Sequence, residues 1–176
     1  MCGIAGLFAG SSNLGAPEEV RRLLAGMTDT LVHRGPDGSG IWVDPHARCA
    51  LGSRRLRVID LTEAGHQPMA SFDDRWMITF NGEIYNFEEL RRILEQSGVR
   101  FQGHSDTEVL VNSMARWQTE CLLRIDGMFA LAAYDTISGE LVLARDPFGE
   151  KPLYYMDCGQ DVLAFASELT ALETLP

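Results

Sequence analysis

The chain opens Met-Cys-Gly-Ile-Ala-Gly-Leu-Phe, so removal of the initiator methionine would make Cys2 the N-terminal residue. A cysteine so placed carries its own α-amine close to its thiol. A free α-amine has a pKa of about 7.7–8.0 and can act as a general base near neutrality. The thiol needs that help, because only a few per cent of it is thiolate at about pH 7. One residue would then supply both nucleophile and base. Position alone also admits a small buried cysteine that starts a core strand, a lipid attachment point or a metal ligand.

Three further stretches carry side chains suited to a polar small-molecule site. In "FNGEIYN", Asn81-Gly82 is the commonest two-residue hairpin signal. A helical pattern starts at Asn86, however, so a strand-to-helix corner at Asn81-Gly82-Glu83 is the alternative. Such a corner would leave an amide side chain and a backbone N–H free, the donors that an oxyanion hole requires. In "HSDTEVLV", Ser105 and Glu108 are explained by a capping box. Asp106 suits the helix dipole and is open to another role. In "SRRLRVID", strand alternation predicts Arg55 and Arg57 on one face and Arg54 on the other. Such an arginine binds a carboxylate bidentately or simply decorates a solvated edge. A cysteine enzyme could instead pair with a histidine. The chain offers His33, His46, His66 and His104, of which His33 and His104 lie closest in sequence to these loops.

Composition narrows the class. The 176 residues are 45% hydrophobic and 23% charged, with a formal net charge of −10. That is one domain's worth of sequence, expected to span 1–176, with enough apolar residues for a sizeable core. The acidity argues against nucleic acid and against anionic membranes as partners. The cysteines, Cys2, Cys49, Cys121 and Cys158, form no C-x-x-C pair. Their spacing reads as reduced thiols in the cytoplasm and predicts no metal site. No apolar run approaches a membrane span. The glycine-interrupted start lacks the basic region of a signal peptide, and Met-Cys-Gly does not fit a myristoylation start.

The elements that must position these residues follow from periodicity. Residues 2–9 read as a buried strand, and Pro17 to about Leu31 as an amphipathic helix with Val20, Leu23, Leu24, Met27 and Leu31 on one face. "HRGPDGSG" is turn-rich. Short strands are predicted at Ile41–Val43, Cys49–Gly52, Leu56–Ile59 and Trp76–Phe80. A helix capped by Asn86 carries Phe87, Leu90, Ile93 and Leu94 and closes near Gly98. A second runs from Ser105 to about Trp117. The last third reads as strands, and the apolar run 128–134 predicts one buried on both faces. The sum is mixed α and β with largely antiparallel hairpins.

Taken in order, Met-Cys-Gly-Ile-Ala-Gly, "HRGPDGSG", "RRLRVIDL", "HQPM", "FNGEIYN", "SDTE", "DGMFALAAYD", "RDPFGEKPLYY" and "ASELTAL" resemble the N-terminal glutaminase domain of the asparagine synthetase family, a class II glutamine amidotransferase. The resemblance covers nearly the whole chain. It implies an α+β fold, a four-layer αββα sandwich of the N-terminal-nucleophile (Ntn) hydrolase type. It also implies removal of Met1, with Cys2 as the nucleophile that cleaves L-glutamine through a γ-glutamyl thioester. Arg55 would hold the substrate α-carboxylate. Backbone groups of Leu56, Arg57, Val58 and Ile59 would line the pocket, and Asn81 with Gly82 would form the oxyanion hole. Glu83 and Asp106 would hold the α-ammonium. The family's Ser-Gly-Gly-x-Asp-Ser type loop is not found before Pro176. The expectation is therefore a fragment, or a subunit whose ammonia-accepting synthetase domain is separate. No cofactor is expected here, with ATP and Mg confined to that synthetase domain, and homodimerisation is left open. The alternative is a non-catalytic glutamine-binding or interaction module whose N-terminus stays blocked.

Overall fold

A computed structural model describes residues 1–176. Strand β1 (Gly3–Ala9) is followed by helix α1 (Pro17–Asp29), β2 (Gly38–Val43), β3 (Cys49–Arg55) and the short β4 (Met69–Ala70). Then come β5 (Trp76–Ile84), helices α2 (Phe87–Gln96) and α3 (Asp106–Trp117), β6 (Gly127–Asp135) and β7 (Leu141–Arg145). The chain closes with β8 (Tyr154–Asp157), β9 (Val162–Ala166) and the one-turn α4 (Leu169–Leu172). The strands form two sheets, ordered β2-β3-β1-β9-β8 and β4-β5-β6-β7, and every pairing is antiparallel.

Three apolar layers stack these elements. Val20, Leu24, Met27 and Leu31, spaced for one helical face, pack on Ala5, Leu7, Ala50, Ala164 and Ala166 of the first sheet. Leu90 and Leu94 of α2 join Val109, Leu110 and Met114 of α3 against Ile78, Phe80, Phe129, Leu131 and Ala133 of the second. Between the sheets lie Cys49, Leu51, Ala132, Tyr134 and Phe165. Alternation along β6 thus buries odd positions under helices and even positions under the other sheet, which is why 128–134 is apolar without a break. The result is the four-layer αββα sandwich. No helix is long and apolar enough to cross a membrane.

Local chemistry explains most boundaries, and the structure corrects four expectations. Pro17 sits in the first turn of α1, with Glu18 and Glu19 complementing the dipole. Ser105 accepts the Glu108 N–H at the start of α3. The Glu108 carboxylate, however, accepts from the Gln102 and Gly103 N–H groups instead of reaching back to Ser105. Asn86 makes no side-chain cap for α2; its amide bonds Arg124 O and the Asp126 N–H, tying the helix entry to β6. Ile93 turns to solvent. Leu56–Ile59 is not a strand, because β3 ends at Arg55 and the chain leaves the sheet.

Close approach dictates the glycine at position 6. A Cβ on Gly6 would stand 2.2 Å from Phe165 Cζ and 2.7 Å from Ala50 O, because the Phe165 ring of β9 lies over its cross-strand partner in β1. Gly6→Ala should therefore overpack the interface between the sheets and cost about 1–3 kcal/mol. Urea unfolding checks this: the midpoint should fall while the slope stays unchanged.

Candidate active site

Cys2 stands immediately before β1, and its position is fixed from both sides. Arg34 donates from Nε to Cys2 O (3.0 Å) and from Nη1 to Glu168 Oε1 (2.8 Å). Two residues further on, Ile4 and Ser167 exchange bonds: Ile4 N–H to Ser167 Oγ (3.0 Å) and Ser167 N–H to Ile4 O (2.8 Å). The Cys2 Sγ rests against the Leu56 peptide, 3.4 Å from its nitrogen and 3.8 Å from its oxygen. Burial pushes the thiol above its ordinary pKa. The Leu56 N–H, the chain's N-terminal charge and Arg55 pull the other way without cancelling it. The thiol is therefore protonated at rest and needs a base.

The irregular run after β3 is organised around Arg55. Its guanidinium donates to Thr62 O (2.9 Å) and to Asp60 O. A Cβ on Gly65 would fall 1.9 Å from Arg55 Nη2, so only glycine lets this turn pack on the arginine. Asp60 holds the loop to the rest of the fold. Its carboxylate accepts the His104 N–H just ahead of α3 and both the N–H and hydroxyl of Thr62, and these bonds lower its pKa to about 2. Arg54 points the other way, onto Thr28 O and Asp29 of α1. Arg57 does not share a face with Arg55, because the strand has ended; it pairs with Glu63 and its N–H bonds Asp37.

Asn81-Gly82 is neither a hairpin turn nor a corner. β5 runs straight through it, pairing with β6 as far as Ile84 opposite Gly127. The Asn81 side-chain nitrogen is buried and has no protein partner. Opposite Gly82, Phe129 spends its N–H on the Asp146 carboxylate and its carbonyl on the Asp146 N–H. Gly82 is thus in a non-hydrogen-bonded pair, and its N–H faces the outer edge of β5. Its neighbours on that edge are both taken: Phe80 N–H by Gln67 Oε1 (2.7 Å) and Ile84 N–H by Asp106 Oδ2 (3.1 Å). The Gly82 N–H lies between them and is left over.

These groups line one cavity of about 210 Å³, below the roughly 300–1,000 Å³ of a drug-sized pocket and suited to a small metabolite. Of the residues picked out from the sequence, Cys2, Arg55, Leu56, Val58, Ile59, Asn81, Gly82, Glu83 and Asp106 lie on its wall; Arg57 does not. None of the four histidines does either. His33 bonds Glu168, and His66 and His46 border other hollows. Sequence reading missed Gln67, Thr107, Met128 and Lys151, which also line the wall. Lys151 is buried, and its Nζ meets the Met1 Sδ at 3.5 Å. No signal marked them beyond their place in quoted motifs. No group of three or more His, Cys, Asp or Glu side chains is arranged to hold a metal ion.

The family model described as a glutamine amidotransferase domain matches residues 1–176. Asparagine synthetase [glutamine-hydrolyzing] 3 of Bacillus subtilis is 40% identical over 178 residues, covering 100% of this chain and 28% of that protein. Asparagine synthetase [glutamine-hydrolyzing] 1 of the same organism is 42% identical over 172 residues, covering 98% and 26%. The chain thus spans little more than a quarter of the length of these relatives. Among solved structures, the glutamine phosphoribosylpyrophosphate amidotransferase of B. subtilis superposes with a TM-score of 0.78 at 23% identity, covering 98% of this chain and 43% of that one. That likeness establishes the Ntn-type fold.

Asp106 is the electrostatically unsettled member of the wall. Burial, helped by the Glu83 charge, raises its pKa from 3.8 to about 6 against the Ile84 and Thr107 N–H bonds. The native state therefore holds a proton that the unfolded chain has released between about pH 4 and 6. This group's contribution to stability falls as pH rises through that window. A carboxyl NMR titration should place the Asp106 midpoint near 6, and Glu83→Gln should move it down. An unchanged midpoint in that variant would remove Glu83 from its surroundings.

Proposed function

The chain belongs to the glutamine amidotransferase domain family, and from that premise we propose that this cavity hydrolyses L-glutamine to glutamate and ammonia with Cys2 as nucleophile. The observation that carries the proposal is the free donor pair, the buried Asn81 amide nitrogen and the Gly82 N–H, on the same wall as the Cys2 thiol. Buried donors left unpaired are costly unless a ligand completes them. Glutamine is a zwitterion with a neutral amide. Arg55 suits its α-carboxylate, Glu83 and Asp106 its α-ammonium, and the donor pair the oxygen of its side-chain amide.

The chemistry then balances within one residue and its neighbours. With Met1 removed, the Cys2 α-amine takes the thiol proton as Sγ attacks the amide carbon. The oxyanion that forms is met by Asn81 and Gly82. The ammonium so created returns its proton to the departing nitrogen, which leaves as ammonia, and a γ-glutamyl thioester remains. Water adds to the thioester with the amine again as base; collapse releases glutamate and restores the thiol. With Met1 in place the Cys2 nitrogen is a peptide amide without basic character. Such a chain would bind glutamine without cleaving it, which is the non-catalytic reading.

The relatives are named as asparagine synthetases that hydrolyse glutamine. We extend the proposal to their product: ammonia passes to an ATP- and Mg-dependent synthetase domain that forms asparagine in the cytoplasm. The glutaminase domain itself would require no cofactor.

Cys2→Ala should keep the fold and abolish turnover in a glutaminase assay; full activity in that variant would exclude Cys2 as nucleophile. Asn81→Ala should lower kcat by roughly 10²–10³-fold, the effect of losing one oxyanion donor. Retaining Met1, verified by intact mass, should nearly eliminate turnover. His33→Ala and His104→Ala should each stay within about tenfold of the parent, short of the roughly 10²–10⁴ that a lost general base costs. A Met1-retaining protein with normal turnover would overturn the α-amine mechanism.

A further inference from the structure

Gln67 lies on the cavity wall, almost fully buried, yet both ends of its amide are spent on the protein. Its Oε1 accepts the Phe80 N–H at 2.7 Å, and its Nε2 donates to Thr107 Oγ1 at 3.2 Å. Its backbone carbonyl accepts the Ser53 hydroxyl at 2.7 Å. A Cβ on Gly40 would fall 2.0 Å from that same carbonyl, so β2 also closes on this residue. The three bonds reach three different elements: β5, α3 and β3. Each lands beside a residue assigned to the substrate. Phe80 precedes Asn81, Thr107 follows Asp106, and Ser53 sits two residues before Arg55 on the same strand face.

We propose that Gln67 is a positioning residue that sets the distances between the oxyanion donors, the ammonium-binding carboxylates and the carboxylate-binding arginine. The inference rests on the glutaminase reading above and names a residue that the reading does not use. The physical reason is that the substrate's groups are covalently fixed relative to one another, while their receptors lie on separate elements. β5 beyond Ile78 has no strand on its outer side, so only side chains hold its spacing to α3. The Asp106 bond to Ile84 fixes one point of that edge, and Gln67 fixes the other. Gly82 lies midway between the two. Without the Gln67 amide, the Phe80 N–H becomes a buried donor without an acceptor. The strand must then shift or admit water.

Gln67→Leu in the processed protein removes both amide bonds at similar volume, and Thr107→Val removes the α3 arm alone. Gln67→Leu should lower kcat/KM for glutamine by about 10²-fold, the scale that roughly 1 Å of misplacement costs, with both kcat and KM affected. Thr107→Val should act mainly on KM, because β5 keeps its Gln67 bond. Labelling of Cys2 separates positioning from general damage. A glutamine-shaped chloroketone should react far more slowly with Gln67→Leu, whereas iodoacetamide, which uses none of the substrate receptors, should react at the parent rate.

Parent values of kcat and KM in Gln67→Leu would overturn the proposal. So would an equal loss of labelling by both reagents, which would mark Gln67 as merely structural. Should Gln67→Leu fail to fold, the KM-against-kcat split in Thr107→Val decides. If the parent protein itself does not turn over glutamine, the glutaminase reading fails. The ¹⁵N–¹H shift of Gly82 then judges Gln67 alone, supporting the proposal if Gln67→Leu displaces it and sinking it if not.

Discussion

The outer edge of β5 is the constraint on which the site depends. β4 pairs only with Ile78 and Met77, so the rest of that edge faces no strand although it is covered by the fold. A buried backbone N–H must find an acceptor. Gln67 and Asp106 supply acceptors for Phe80 and Ile84, and the sequence provides none for Gly82. An exposed edge would invite pairing with another chain. Covering it with the 56–67 loop and the start of α3 instead converts one missing strand into a binding wall.

The same covering decides which carboxylates are inert. Asp60 and Asp146 are buried like Asp106, but each is saturated by local donors. Asp146 alone accepts the N–H groups of Phe129, Phe148, Glu150 and Lys151. Their pKa values fall, and their charge is spent on holding loops. Asp106 accepts two N–H groups as well, yet burial outweighs them and, with the Glu83 charge beside it, leaves its pKa above the usual carboxylate range. Its charge is not settled by the protein. In the proposed reading the ammonium of glutamine settles it, which is how one acid among many in an acidic chain becomes selective.

Much of this was legible in the sequence where the signal is local. The face of α1, the Ser105 cap and the double-sided burial of β6 all follow from spacing alone, since each depends on contacts set by helix or strand periodicity. Asn81-Gly82 misled for a physical reason. The dipeptide favours turns because glycine tolerates positive φ, but Gly82 is not among the positive-φ glycines. It is needed because a Cβ there would lie 2.3 Å from Met128 O of β6. That is a cross-strand fact, invisible in a local window. Arg57 failed because alternation was extended past the end of β3. Gln67 and Lys151 were missed because a buried polar side chain announces itself only through its partners, and theirs are 13 residues away or more.

The N-terminus shows how the remaining pieces depend on one another. A thiol whose burial raises its pKa is a poor nucleophile without a base, and the wall offers no imidazole. Arg34 and Glu168 anchor the Cys2 carbonyl, and Ile4 with Ser167 locks the strand directly behind it. The freedom left to residue 2 is therefore on its amino side. Leu56 contacts Sγ from the loop that Arg55 organises, so the placement of the thiol and the binding of a substrate carboxylate share one support. An α-amine attached to the same Cα needs no further element to position it. The carboxylates on the same wall, Glu83 and Asp106, are taken up by the substrate ammonium in this reading. Within the proposed mechanism, placing cysteine second thus puts nucleophile and base on one residue and leaves those acids free to bind.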